Sequence, residues 1–361
     1  MEHIEDTLGM LDLIPQGAFC VKDGTIIRVN EPARRRGIPQ GVAVDTVLGT
    51  GKQEYSEFTG GCLYLTVQAG DARFSASVTR RVHFDVFVLE QDDDQAELQA
   101  MALAAQELRN PLTGVMTVAD QLFPLVSEET DPALQENMAR INRGLFQMLR
   151  IVSNMSDAYR YCQELPSQLQ TRNICAVVEE LFLSAAPMIS HTGMTLHFEG
   201  PQEAIFCLAD VEKLERAIHN ILSNAVKFAP KGSTIDASLT RRGDMLYLTV
   251  QDAGNGIRED LRAGIYGRFR REPGLEDSRF GIGLGMVLIR SAATAHGGTV
   301  LMDQTETNGN RVTMTIPIRK STGAMVRSPI LHVDYAGEMD HRLLELSDSL
   351  PAHLYRKEKN S

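Results

Sequence analysis

Two long apolar stripes set the tightest limit on how this chain can fold. Leu98, Met101, Ala105, Leu108, Leu112, Val115, Ala119 and Leu122 recur at alternating steps of three and four residues. Leu134, Met138, Ile141, Leu145, Met148, Val152, Met155 and Tyr159 repeat the pattern. This is heptad spacing, which lines one side of an α-helix and packs it against other helices. Pro124 ends the first helix, and Asp131-Pro132 supplies an N-cap and a favoured first residue for the second. A hairpin this slim cannot bury both stripes by itself. The spacing therefore predicts an antiparallel helical hairpin that pairs with a second hairpin as a dimeric four-helix bundle. A purely structural coiled coil is the alternative.

The rest of the chain sets outer bounds. At 361 residues it has room for two or three domains, each with its own core. No run approaches the roughly 20 apolar residues that cross a bilayer. The start, Met-Glu-His-Ile-Glu-Asp, lacks the basic and apolar stretches of a signal peptide. A cytoplasmic protein without membrane insertion is expected. A net charge of -11 argues against a nucleic-acid partner, since phosphate binding needs a basic face. Arg34-Arg35-Arg36 is the exception and reads as a solvated loop. The cysteines, Cys20, Cys62, Cys162, Cys175 and Cys207, are odd in number and widely spaced, which argues for reduced thiols rather than disulfides or zinc.

Ahead of the hairpin, short β-rich runs alternate with turns. Phe19-Cys20-Val21 leads through Lys22-Asp23-Gly24 into Thr25–Asn30, and further strands are predicted at Cys62–Val67, Arg73–Val78 and Phe84–Leu89. Asp-Gly followed by Ile-x-x-Val-Asn resembles a PAS sensory domain, which implies a small antiparallel β domain over residues 1–90. The hairpin follows at 91–165. From about residue 173 the pattern turns α/β. Helices are predicted from Asn173 to Ser190, from Asp210 to Phe228 and from Gly285 to Ala295. Strands are predicted near Thr195–Phe198, Ala204–Leu208, Thr234–Thr240, Met245–Gln251, Thr299–Met302 and Arg311–Ile318. Such an order fits an α/β sandwich over 166–320 with helices on one sheet face. The fold class is then α+β and multidomain.

Four segments of the α/β region carry chemistry. On the helix ending at Phe228, Asn220, Asn224 and Lys227 share a stripe. Amide oxygens suit Mg²⁺, a hard cation, and a lysine meets phosphate as a point charge. Asp252-Ala253-Gly254-Asn255-Gly256 follows a strand, where a carboxylate can accept from an exocyclic amine beside glycines that let a flat base approach. Tyr266-Gly267-Arg268-Phe269-Arg270-Arg271 is a cationic loop. Gly281-Ile282-Gly283-Leu284-Gly285 opens a helix, whose bare amides favour an anion.

In this order the four segments resemble the N, G1, F and G2 boxes of the sensor histidine kinase catalytic domain, of the GHKL (Bergerat) ATPase superfamily shared with gyrase and Hsp90 chaperones. The resemblance implies bound ATP and Mg²⁺. Asn224, with Asn220 beside it, would hold the metal, Lys227 would touch phosphate, and Asp252 would read adenine. Gly254 and Gly256 would line the base, Gly281, Gly283 and Gly285 would cradle phosphates, and Arg268 would add a cation from a lid over about 258–280. Phe228 and Phe269 are either adenine-side or lid contacts, or core. His219, beside the site, and His296, at a helix end, carry no catalytic role in this reading.

The hairpin holds Ala105-Gln106-Glu107-Leu108-Arg109-Asn110-Pro111-Leu112, which resembles the family's phospho-acceptor box with Gln106 in place of the acceptor histidine. No histidine occurs between His83 and His191. Phosphoryl transfer needs a nucleophile in line, and an amide nitrogen has its lone pair delocalised, so Gln106 is inert as an acceptor. With Leu98 at heptad position a, Gln106 falls at b and Asn110 at f, both off the seam. Glu107 and Asn110 match the positions that the family uses to orient water in removing phosphate from a response regulator; the alternative is two polar surface residues.

The expected function is thus an ATP-binding, histidine kinase-like protein of two-component signalling that does not label itself. It would act as a response-regulator phosphatase or as a kinase for a related chain in a mixed dimer. The competing readings are a pseudokinase scaffold and, less favoured because those lack the hairpin, an ATPase or a serine kinase of the anti-sigma type. Expected partners are a second copy or a related kinase and a response regulator. Residues 321–361 extend past the domain, with a strand at Ile330–Val333 and an amphipathic helix at Met339–Leu350 that would pack on it.

Overall fold

A computed structural model describes residues 10–49, 51–90, 94–123, 132–162, 169–256, 283–305, 309–319 and 340–356. The N-terminal region forms strands β1 (Ala18–Lys22), β2 (Thr25–Val29), β3 (Cys62–Ala69), β4 (Ala72–Arg80) and β5 (Asp85–Leu89), with short helices α1 (Glu31–Arg35) and α2 (Lys52–Glu57). All neighbouring pairs are antiparallel, in the order β2-β1-β5-β4-β3. The first hairpin closes through Asp23 and Gly24, both at positive φ, as a two-residue turn between twisted strands requires. The buried amide of Asn30 caps α1 and accepts from the amide of Ala18, fixing the helix to β1. The arginine triplet is not a solvated loop. Arg34 and Arg35 lie in α1, where Glu31 pairs with both, and Arg36 reaches the carbonyl of Glu90.

Helices α3 (Asp94–Leu122) and α4 (Pro132–Cys162) form the hairpin. Their stripes divide in two. Leu98, Ala105, Leu112 and Ala119 of α3, with Leu145 and Val152 of α4, are buried. The alternate positions Leu108, Val115 and Leu122, with Leu134, Ile141 and Met148, are 43–56% exposed. Three of the eight positions on each heptad seam are therefore left exposed among the described residues.

The α/β region contains β6 (Gln170–Asn173), α5 (Ile174–Ser190), β7 (Thr195–Glu199), β8 (Phe206–Ala209), α6 (Val211–Phe228), β9 (Thr234–Arg242), β10 (Met245–Asp252), α7 (Gly285–His296), β11 (Val300–Gln304) and β12 (Asn310–Pro317). Strand β6, Gln-Thr-Arg-Asn, pairs with β8 and is absent from the sequence reading because it shows no apolar alternation. Along β9, Ile235, Ala237 and Leu239 point inward; along β10 the inward residues are Leu246, Leu248 and Val250, and along β12 they are Val312, Met314 and Ile316. These meet Val178 and Phe182 of α5, Ile218 and Leu222 of α6, and Ile289 of α7 in one core.

The two β regions do not form separate sheets. β3 pairs antiparallel with β11, giving a ten-stranded sheet in the order β2-β1-β5-β4-β3-β11-β12-β10-β9-β7. Gly61 lets the strands approach, since a Cβ there would collide with the carbonyl of Met302. Arg290 of α7, almost wholly buried, pairs with Glu90 and lies over the ring of Tyr64, whose hydroxyl donates to Glu90 at 3.0 Å. Past β12, the described chain resumes at a short helix, α8 (His341–Glu345), capped by Asp340. The helix expected over Met339–Leu350 is thus five residues long; after it, the chain turns through 346–350 into a 3-10 turn at Ala352–Tyr355. The strand expected at Ile330–Val333 lies outside the described residues.

Candidate nucleotide site

Helix α6 forms the wall on which the site is assembled. Asp210 caps it by accepting from the amide of Lys213, and His296 braces the cap, its Nε2 accepting from the amide of Asp210 at 3.0 Å. The other ring nitrogen of His296 donates to the carbonyl of Ala292. Burial holds this histidine below its ordinary pKa, in the neutral form that the acceptor role requires. His219, one turn before Ser223, is buried, and among the described residues neither ring nitrogen has a hydrogen-bond partner. It is a core residue.

Asn220 is 2% exposed, and its amide is already committed. Nδ2 donates to the carbonyl of Arg216 at 2.8 Å, and Oδ1 accepts from Arg150 of α4 at 3.4 Å. The sequence reading placed Asn220 beside the metal; here it is part of the wall. Asn224, one turn on, is half-buried, with Nδ2 4.0 Å from Sδ of Met286. Lys227 does not face open solvent either. Its Nζ donates to Oδ2 of Asp348 at 2.7 Å, and its side chain is 7% exposed. Burial, aided by the charge of Arg150 and opposed by Asp348, pulls its pKa down to about 8.

Asp252 ends β10. Its Oδ1 accepts from the amide of Gly254 at 2.7 Å and from Nδ2 of Asn310 at 3.0 Å. Burial raises its pKa, and those two donors oppose the rise. Gly254 has no room for a side chain: a Cβ would lie 2.6 Å from Nδ2 of Asn310, 2.7 Å from Oδ1 of Asp252 and 3.1 Å from the carbonyl of Phe228. Gly285 faces α6 in the same way, with Oδ1 of Asn220 3.0 Å from its virtual Cβ. The Asp252 loop and the start of α7 thus close on opposite ends of one α6 stripe. Gly256 and Gly283 both take left-handed φ, at 72° and 77°. Phe228 is 44% exposed, so it is not core. Gly281, Arg268, Phe269 and the expected lid lie outside the described residues.

The hairpin residues are placed differently. Gln106, Glu107 and Asn110 are all exposed on α3. Gln106 lines a groove with Arg109, Ser153, Asp157, Tyr159 and Arg160. Asp157 connects that groove to α6, because it also pairs with the fully buried Arg216, whose carbonyl receives Asn220. Leu284 and Val287, at the start of α7, pack on Leu98 and Ala158 of the hairpin.

Several of these partners escape a linear reading. Asn310 meets Asp252 only through the β10–β12 register, and Asp348 lies 121 residues from Lys227. Arg150 occupies heptad position f, where a solvated residue is expected. Among the described residues no group of acidic, His or Cys side chains is arranged to hold a metal, and no helix is long and apolar enough to cross a membrane. Cys20, Cys62, Cys175 and Cys207 are buried cysteines in the thiol form.

Residues 209–320 match the family described as histidine kinase-, DNA gyrase B-, and HSP90-like ATPase. Hybrid signal transduction histidine kinase D of Dictyostelium discoideum is 27% identical over 62% of this chain and 15% of its own length. Adaptive-response sensory kinase SasA of Synechocystis sp. is 28% identical over 65% of this chain and 64% of its own, and sensor histidine kinase WalK of Bacillus subtilis 25% over 63% and 38%. The chain thus spans less than two thirds of the length of each of these relatives. The full-length structure of ShkA in complex with AMPPNP shares the fold, with a TM-score of 0.51 and 21% identity over 63% of this chain and 47% of that one. Residues 209–320 therefore match the histidine kinase-, DNA gyrase B- and HSP90-like ATPase family, and over 62–65% of its length the chain is similar to sensor histidine kinases.

Proposed function

We propose that this chain binds Mg·ATP on the stripe of α6 between Gly254 and Gly285, and that it signals through its helical hairpin without phosphorylating itself. The observation that carries the first half is the pair of glycines closing on α6, one against Asp252 and Asn310, the other against Asn220. A flat base can lie against Gly254 beside the Asp252 carboxylate, and phosphates can sit on the amides that open α7. Mg²⁺, when bound, would neutralise charge on the phosphates; it needs few protein oxygens when phosphates supply the rest, and Asn224 is the amide available for it. Asn220 holds the wall by its bonds to Arg216 and Arg150. Lys227 reaches phosphate only by leaving Asp348.

The second half rests on Gln106. The acceptor box places an unreactive amide where the family has a nucleophile, while Gln106 and Asn110, one turn apart, share an exposed face. That face, with Glu107, suits a response regulator whose phosphate is to be removed by an oriented water. A mixed dimer with a related kinase is a second use of the same hairpin, and an ATP-gated scaffold is the non-catalytic alternative. The bare positions Leu108, Val115, Leu122, Leu134, Ile141 and Met148 fit a second hairpin, which would complete a four-helix bundle. We assign the five-stranded N-terminal region, 1–90, to a PAS-like sensor, 91–165 to the hairpin and 166–320 to the ATPase domain.

Calorimetry with Mg·ATP tests the nucleotide site. Wild type is expected to bind, and Asp252→Ala to lose at least about tenfold in affinity, the worth of one charge-assisted hydrogen bond. Equal binding by both would refute the adenine role of Asp252. Loss of phosphate from phosphorylated response regulators, with Asn110→Ala as control, separates phosphatase from scaffold.

A further inference from the structure

The segment 340–356 has no part in the function proposed so far, yet it is among the most tightly held parts of the fold. Leu344, Leu346, Leu350 and Tyr355 are buried in the main core. Tyr355 packs edge-on against Phe146 of α4 at 5.2 Å between ring centroids. Arg143 of α4 donates to the carbonyls of Ser347 and Asp348, both at 2.9 Å. The segment is a strap that ties the hairpin to the ATPase domain.

Its charged residues face the polar stripe of α6. Glu345, completely buried, pairs with Arg216 of α6 and with Arg150 of α4. Asp348 Oδ2 receives Nη1 of Arg150 at 2.5 Å and Nζ of Lys227 at 2.7 Å. Two cations from different helices thus converge on one carboxylate oxygen, and all three side chains are less than 10% exposed. Two cations held this way, out of water, form a receptor for an anion. Asp348 supplies that anion from within the chain, on the same stripe as Asn224.

We infer that 340–356 is an autoinhibitory strap: Asp348 occupies the cationic position of α6 and competes with the phosphates of a nucleotide for Lys227 and Arg150. The inference rests on the nucleotide reading of α6 given above. Because the strap also bonds α4 through Arg143, displacing Asp348 loosens the tie between hairpin and ATPase domain. Nucleotide occupancy and docking of the two are then coupled, and the coupling is reciprocal.

The test uses the full chain. Asp348→Asn keeps the shape of the side chain and removes its charge, while Arg150 retains Glu345. In calorimetry with Mg·ATP this variant is expected to bind about tenfold more tightly than wild type, and Lys227→Met added to it to abolish the gain. Hydrogen exchange of wild type is expected to show faster amide exchange across 340–356 when Mg·AMPPNP is saturating. A folded Asp348→Asn variant that binds no more tightly than a wild type which does bind overturns the strap and leaves the nucleotide site standing. If that variant does not fold, exchange in 340–356 that stays unchanged or slows on wild type overturns it. If neither chain takes up nucleotide, the strap and the nucleotide reading fall together.

Discussion

Helix α6 and helix α3 carry the two polar stripes on which the account depends, and the fold treats them oppositely. On α6, Asn220 and Lys227 are buried, and each is bonded to a partner from another element. On α3, Gln106, Glu107 and Asn110 are exposed on the outer face of the hairpin. Packing therefore constrains Asn220 and Lys227 on the α6 stripe, whereas the α3 stripe is free to be read by a partner. A buried stripe tolerates little change because its groups hold the wall; an exposed one can lose a nucleophile at no cost in stability. On the proposed reading, that asymmetry lets an ATPase domain persist above an acceptor box that does not accept.

The largest effect is expected at the exposed seam positions of the hairpin. Val115→Glu combined with Ile141→Glu places charges at two positions that are 55% and 56% exposed in the single chain. Sedimentation is expected to show wild type as a dimer and the double variant as a monomer, with little change in far-UV circular dichroism. A monomeric wild type would remove the four-helix bundle from the account. Next in size is Arg216→Ala, which removes one buried partner from each of Glu345 and Asp157; breaking such a network costs about 3–5 kcal/mol in denaturant unfolding. Stability unchanged within about 1 kcal/mol would mean the α6 network is not held as described.

A smaller contrast compares the two stripes directly. Gly254→Ala forces a methyl against Asn310 and Asp252 and is expected to cost about 1–3 kcal/mol. Asn110→Ala, on the exposed face of α3, should stay within about 0.5 kcal/mol. Equal costs would erase the distinction between buried and exposed stripes. The smallest effect concerns His219. Burial lowers its pKa, so the folded chain resists protonation where the unfolded chain accepts it. Stability is then full above the ordinary value of about 6.5 and falls as the pH drops toward the depressed one. His219→Leu removes both unpartnered nitrogens and is expected to flatten the acid side of the stability profile with little change at pH 8. An unaltered acid limb would locate that dependence elsewhere.

Much of the fold was legible in the sequence because periodicity reports local geometry. The five N-terminal strands, both hairpin helices, α5, α6 and α7 lie within a few residues of where alternation, heptads and capping residues put them. What was not legible depends on contacts between distant segments. Nothing in Cys62–Ala69 signals that β3 joins β11, since an edge strand looks the same whether or not it is covered. Likewise the heptads identify two seams but cannot say which positions face this chain. The strap was missed for the same reason: Ser347-Asp348-Ser349 reads as a turn until Lys227 and Arg150 are placed beside it.

The central claim is that a nucleotide site remains while its acceptor is absent, and phosphate transfer from γ-labelled ATP tests it most directly. Wild type is expected to incorporate no acid-labile phosphate, and Gln106→His to become labelled at that residue. Acid-labile label on the wild-type chain would contradict the account, because some residue other than the one at position 106 would then be serving as the nucleophile.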